Sequence, residues 1–115
     1  MDIGTLTLVK TLDIRDLVAF SDDEPRRRTL LEGAHLWSEV ICLQGSQGIG
    51  PVRDDGADGI LVVLAGEVAT QVGKGRARMK QWEAVDVPAG QDLTLRNASD
   101  DPSVVLVVVA PPPDA

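Results

Sequence analysis

The sequence predicts an all-β domain, a sandwich or barrel of short strands. Three features lead there. The apolar content is dominated by Val, Leu, Ile and Ala, with one Phe, two Trp and no Tyr, and β-branched residues favour extended backbone. From residue 29 onward, alternating or wholly apolar runs are separated by clusters of Gly, Pro, Asp, Asn and Ser, the residues that turn a chain. At 115 residues, 43% hydrophobic and 25% charged, the chain is long enough for one core without staples, so residues 1–115 are read as a single domain.

Residues 1–28 read as an N-terminal extension. "TLTLVKTL" at 5–12 alternates polar and apolar, which predicts a half-buried strand. In "DIRDLVAF" at 13–20, Asp13 is a cap and Ile14, Leu17 and Val18 fall at helical spacing, so one or two turns of helix are expected. "SDDEPRRR" is a loop in which the basic run at 26–28 is offset by "DDE" at 22–24.

The barrel is expected over 29–110. "TLLEG", "HLWSEVICLQ", "GILVVLAGEVATQVG", "RARMKQW", "AVDVP", "DLTLRNA" and "SVVLVVVA" read as extended, and "GSQGIGP", "DDGADG", "GKG", "PAGQ" and "SDDP" as turns. Along the second strand His35, Trp37, Glu39, Ile41 and Leu43 share one face, and Leu36, Ser38, Val40 and Cys42 the other. "ILVVLAGEVATQV" reads as a hairpin apolar on both faces up to Gly66, which predicts cover on both sides. The tail 111–115, "PPPDA", cannot donate to a ladder at its prolines and is expected to lie on the surface or fray.

Several functional classes are disfavoured. A net charge of −7 opposes binding to nucleic acid, whose phosphates call for a basic face. A single cysteine, Cys42 in "VICL", excludes an intramolecular disulfide and a multi-cysteine zinc site. The N-terminus lacks a basic lead and an apolar core, and the longest apolar run, "ILVVLA", is too short to cross a bilayer. A soluble, cytoplasmic protein without membrane contact is expected.

The residues "VLAGEV", "VDVPAG" and Asn97 resemble the cupin superfamily, the small double-stranded β-helix (jelly-roll) barrels, across roughly 29–110. That family carries G(x)5HxH(x)3–4E(x)6G and G(x)5PxG(x)2H(x)3N. Anchored at Gly66, the first motif places its glutamate at Gly59 and its histidines at Arg53 and Asp55, or at Val52 and Asp54 with the longer spacing. In the second, Pro88, Gly90 and Asn97 match, Leu93 takes the histidine position and Trp82 the opening glycine. The turning residues are kept and every metal-ligand position is changed.

A metal of this family needs imidazoles and a carboxylate converging on one point. Arg would put a fixed positive charge there, and Leu93 has no lone pair. Asp55 and Asp58 lie on a Gly-rich turn, a poor cage for a transition metal. No metal and no cofactor are therefore expected. His35, the one imidazole, reads as a packed or surface residue, and Trp37 and Trp82 as core or barrel-mouth residues.

The barrel resemblance implies a pocket bordered by Arg53, Asp55 and Leu93, with Leu61 deeper and Glu39 and Trp37 on the neighbouring strand. Arg53 would grip an anionic, partly apolar small molecule. The plainer and preferred account is that Arg53 pairs with Asp55 or Asp58 at a solvated rim over a filled interior. Three functions follow. They are a metal-free binding or regulatory module, a metal-independent acid–base isomerase or epimerase drawing on Glu39, Asp55, Asp58 or His35, and a structural assembly protein. The open edges of so small a barrel predict a homodimer, through strand exchange or sheet extension by residues 1–12.

Overall fold

A computed structural model describes residues 9–113. Among them the chain forms nine strands: β1 (Arg26–Glu32), β2 (Trp37–Leu43), β3 (Gly48–Val52), β4 (Asp58–Ala65), β5 (Glu67–Val72), β6 (Gly75–Lys80), β7 (Ala84–Val87), β8 (Leu93–Arg96) and β9 (Ser103–Ala110). Two antiparallel sheets, ordered β1-β2-β9-β4-β7 and β3-β8-β5-β6, face each other as a double-stranded β-helix. Ile41, Leu43, Leu61, Val63, Val68 and Leu95 fill the space between them. The predicted all-β class is the observed one.

The predicted helix over 13–20 is a single 3₁₀ turn, Ile14–Leu17, whose first turn is capped by the Asp13 side chain accepting from the Arg15 N–H at 3.0 Å. The strand read over 5–12 falls partly outside the described residues; residues 9–12 carry none. Ile14, Leu17, Val18 and Phe20 pack with Val40, Cys42 and Val104 on the outer face of the five-stranded sheet.

Three readings are corrected. The basic run is not a loop: Arg26–Arg28 open β1, with Arg26 and Arg28 opposite Cys42 and Val40 on the outer face and Arg27 opposite Ile41 on the inner one. An edge strand accommodates such charges because its outer rim meets water. "GSQGIGP" hides β3, which pairs with β8 through Gly48↔Arg96 and Ile49↔Leu95. Its glycines serve close approach as well as turning, since a Cβ at Gly48 would lie 2.9 Å from the Leu95 carbonyl oxygen.

The third correction concerns 60–72, which is no hairpin. β4 and β5 belong to different sheets, and Gly66, at φ +78 with the Pro102 carbonyl 2.6 Å from where a Cβ would sit, carries the chain between them. Nor is β4 covered on both sides, for Ile60 is 42% exposed.

Two expected turns hold. β5 and β6 join through Gly73-Lys74, with Val72 opposite Gly75 and Gly73 at φ +58. Asn97, fully buried, ties the β8–β9 corner through its side-chain amide. Cys42 is 1% exposed, and burial pushes its thiol pKa up. A thiol-reactive chromogenic disulfide should therefore label folded protein only as fast as it unfolds. Labelling at the rate of a free thiol peptide would contradict this packing.

Candidate functional site

Alternation along β2 decides what meets the space between the sheets at one end of the barrel. Trp37, Glu39 and Ile41 turn toward it, as expected, whereas His35 lies before the strand, exposed and away from it. There the sheets bound a half-open cavity of about 210 Å³. Ile41, Leu93, Leu95 and Val107 form its apolar depth. Polar groups stand around it: Glu39 and Arg27 on one wall, and Arg53, Asp54 and Gln91 on the other. Pro113 of the C-terminal tail also borders it.

Glu39 is only 6% exposed. Its carboxylate accepts from Nε of Arg27 at 3.2 Å and from Nη2 of the same guanidinium, a two-pronged pair from the diagonal position on β1. This pairing answers the desolvation of a buried carboxylate, which would be costly alone. Arg53 donates from Nε to Oδ1 of Asp55 at 2.7 Å. That hydrogen bond holds the Arg53 pKa above its ordinary value. The side chains are 55% and 76% exposed, so the pair contributes little to stability. Asp54 accepts from the Gly56 N–H at 2.8 Å through Oδ1.

The turn at Pro88–Gln91 is fastened to this rim. Gly90 N–H donates to the Asp54 carbonyl at 2.9 Å, and Ala89 N–H to Oδ1 of Asp58 at 2.9 Å. Gly90 adopts φ +83, so the retained glycine has a local reason. The displaced one leaves its mark too: Trp82, at φ +76 and 75% exposed, adopts a backbone that side chains rarely take.

Of the residues expected at the pocket, Arg53, Glu39, Trp37 and Leu93 border the cavity. Two do not. Leu61 is fully buried in the sealed core, and Asp55 stands outside on the solvent side of Arg53. Arg53 does pair with Asp55, and the interior is filled except at this one end of the barrel, where the cavity opens. Arg27 escapes sequence reasoning because its segment reads as a loop; extending the β1 alternation by two residues would find it. Gln91 carries no signal.

The cavity also bears on the motif register, through one residue. Val52, Asp54, Gly59 and Leu93, the four ligand positions under the longer spacing, all border it. The shorter spacing would use Asp55, which does not. As a donor set these residues do not fit a divalent ion. Val52, Gly59 and Leu93 supply no side-chain lone pair, Asp54 spends one oxygen on Gly56, and two guanidinium groups stand nearby. Among the described residues no three His, Cys, Asp or Glu side chains converge.

No protein-family model and no curated protein match the sequence. Solved structures do. TT1209 from Thermus thermophilus is 26% identical, with TM-score 0.87 over 91% of this chain and 100% of that one. An uncharacterised conserved protein with a double-stranded beta-helix domain, from Klebsiella pneumoniae, is 23% identical, with TM-score 0.83 over 90% of this chain and 91% of that one. The cupin domain of Cnp3 from Schizosaccharomyces pombe is 15% identical, with TM-score 0.72 over 76% of this chain and 61% of that one.

Proposed function

We propose that this chain, whose fold is that of the double-stranded β-helix and cupin domains it is similar to, is a metal-free module that binds a small molecule in its barrel. One observation carries this reading. The four positions at which the family holds its metal border a cavity that remains open, yet they are Val52, Asp54, Gly59 and Leu93. The cavity's lining is mainly apolar, from Ile41, Leu93, Leu95 and Val107, the kind of concave surface that a small molecule covers. Catalysis by acid–base residues is the weaker reading. Glu39 is held by Arg27 in a bidentate pair, and among the described residues no histidine stands beside it.

Ligand-observed NMR of a fragment mixture with chelator-treated protein tests the reading. Fragments should bind without added metal, and Ala57→Phe, which puts a ring at the cavity wall, should abolish their signals while the fold is retained. Binding that requires an added divalent ion would refute it.

We also propose that the protein is a homodimer, packed through the outer face of the five-stranded sheet. Leu31, Ser38, Val108 and Ile60 lie side by side across four strands, ending at Asp86, with Ser38 buried and Val108 half-buried between the two exposed flanks. Leu31 and Ile60 are 47% and 42% exposed. A two-fold axis through this row would lay the β1 side of one copy, with Arg28, over the β7 side of the other, with Asp86. Light scattering should give twice the 12.2 kDa chain mass, and Ile60→Arg should halve it. A monomeric wild type would overturn this.

A further inference from the structure

The cavity separates its chemistry by depth. Its interior is aliphatic, from Ile41, Leu93, Leu95 and Val107, with the Trp37 ring on the same strand face as Glu39. Its charged groups are two guanidinium and two carboxylate side chains: Arg27, Arg53, Glu39 and Asp54. These cations are not equally engaged. Arg27 gives both Nε and Nη2 to the two oxygens of a buried Glu39, so that pair is electrically closed. Arg53 gives only Nε to Asp55, whose side chain is 76% exposed, and among the described residues neither of its Nη groups has a protein acceptor.

An anion entering this mouth therefore meets free N–H donors on Arg53 and a low-dielectric interior behind them. A second negative charge would meet the Asp54 and Glu39 carboxylates, in a protein whose net charge is already −7. Size is bounded as well. A void of roughly 150 Å³ accommodates benzene, so about 210 Å³ takes one ring or branched chain and a single head group.

We infer that the ligand class is a small apolar monocarboxylate, with its carboxylate on the Nη groups of Arg53 and its ring or branched body against Ile41, Leu93 and Val107. This inference rests on the pocket being a binding site, as proposed above. It adds a charge, a size limit and a receiving residue. Binding is non-covalent, and the carboxylate exchanges its hydration for the guanidinium.

Calorimetric titration of the chelator-treated protein with benzoate, benzyl alcohol, phthalate and inorganic phosphate tests it. Benzoate should bind about tenfold or more tighter than its neutral counterpart, as a charge-assisted pair requires. Phthalate and phosphate should bind more weakly than benzoate. Arg53→Gln should bring benzoate down to the level of benzyl alcohol and leave benzyl alcohol unchanged. Benzyl alcohol equalling benzoate, or phosphate surpassing it, would overturn the ligand class and leave the binding pocket standing. A benzoate preference that survives Arg53→Gln but is lost in Arg27→Gln would overturn the choice of Arg53. If neither these four probes nor the fragment mixture binds, the pocket reading fails first and takes this inference with it.

Discussion

Replacing Asn97 with alanine is expected to lower the unfolding free energy by about 3 kcal/mol, a large share of the roughly 5–15 kcal/mol that holds a domain folded. The side chain is fully buried and its amide is satisfied at both ends. Nδ2 donates to the Leu43 carbonyl at 3.1 Å and to the Asp101 carbonyl at 2.7 Å. Oδ1 accepts from the Ser99 N–H at 3.0 Å and from the Ser99 hydroxyl at 2.9 Å.

These bonds are unequal once the amide is gone. Ser99 is half-buried and can turn to water, whereas Leu43 is fully buried at the end of β2. The buried Leu43 carbonyl would lose its side-chain donor, and the truncation also leaves a void. Asn97→Asp separates hydrogen bonding from volume. It keeps the size but turns a donor into a charged oxygen facing two carbonyl oxygens, so it should destabilise at least as much as alanine. Denaturant unfolding of both variants measures this. A loss below about 1 kcal/mol for alanine would mean the corner is held by its backbone bonds alone.

Asn97 also illustrates what can be read from one sequence. The Leu43 carbonyl it holds lies 54 residues away and no segment announces that contact, but its position behind Pro88 and Gly90 is written in residue type and spacing. So is the facing of Trp37, Glu39 and Ile41, because a strand has period two and nothing else in "HLWSEVICLQ" competes with that reading. What depends on two strands at once is harder. Gly48 lies in a strand because β8 comes close to it, and within its own segment that glycine looks the same as one that turns the chain. Arg27 belongs to a strand because Glu39, twelve residues on, needs a partner. Whether the interior is filled or open is a volume summed over both sheets, and no segment carries it.

The motif register belongs to the same class. A one-residue difference in spacing exchanges the two faces of the chain. Val52 and Arg53 both border the cavity, so it separates the two spacings only at one position, through Asp54, which lines it, against Asp55, which does not.

That selection predicts the largest effect of any substitution considered. Restoring the family's ligands at the selected positions, as Val52→His, Asp54→His, Gly59→Glu and Leu93→His together, should create a zinc or nickel site of about 1 µM affinity or tighter. All four positions border one cavity, so imidazoles and a carboxylate placed there can converge within the roughly 2.0–2.2 Å that zinc demands. Gly59 is the tightest of the four: its Cβ would sit 3.3 Å from the Val108 carbonyl oxygen, so β9 has to give by a few tenths of an ångström. Arg53 and Arg27 border the same cavity, so their charges oppose the ion, and the imidazoles and carboxylate have to outweigh them.

The matching control uses the other spacing, with Arg53→His and Asp55→His in place of the changes at 52 and 54. Asp55 lies outside the cavity, so that variant should bind at least about 10²-fold more weakly, roughly 3 kcal/mol. Competition against a chromogenic chelator reads both affinities, with circular dichroism to establish that each variant is folded. Equal binding by the two variants would cancel the register. A folded first variant that holds no ion would mean the four positions do not converge. Stoichiometric binding by the wild-type chain would be the gravest outcome, because an ion held by Val52, Asp54, Gly59 and Leu93 would contradict the donor chemistry on which the binding-module reading stands.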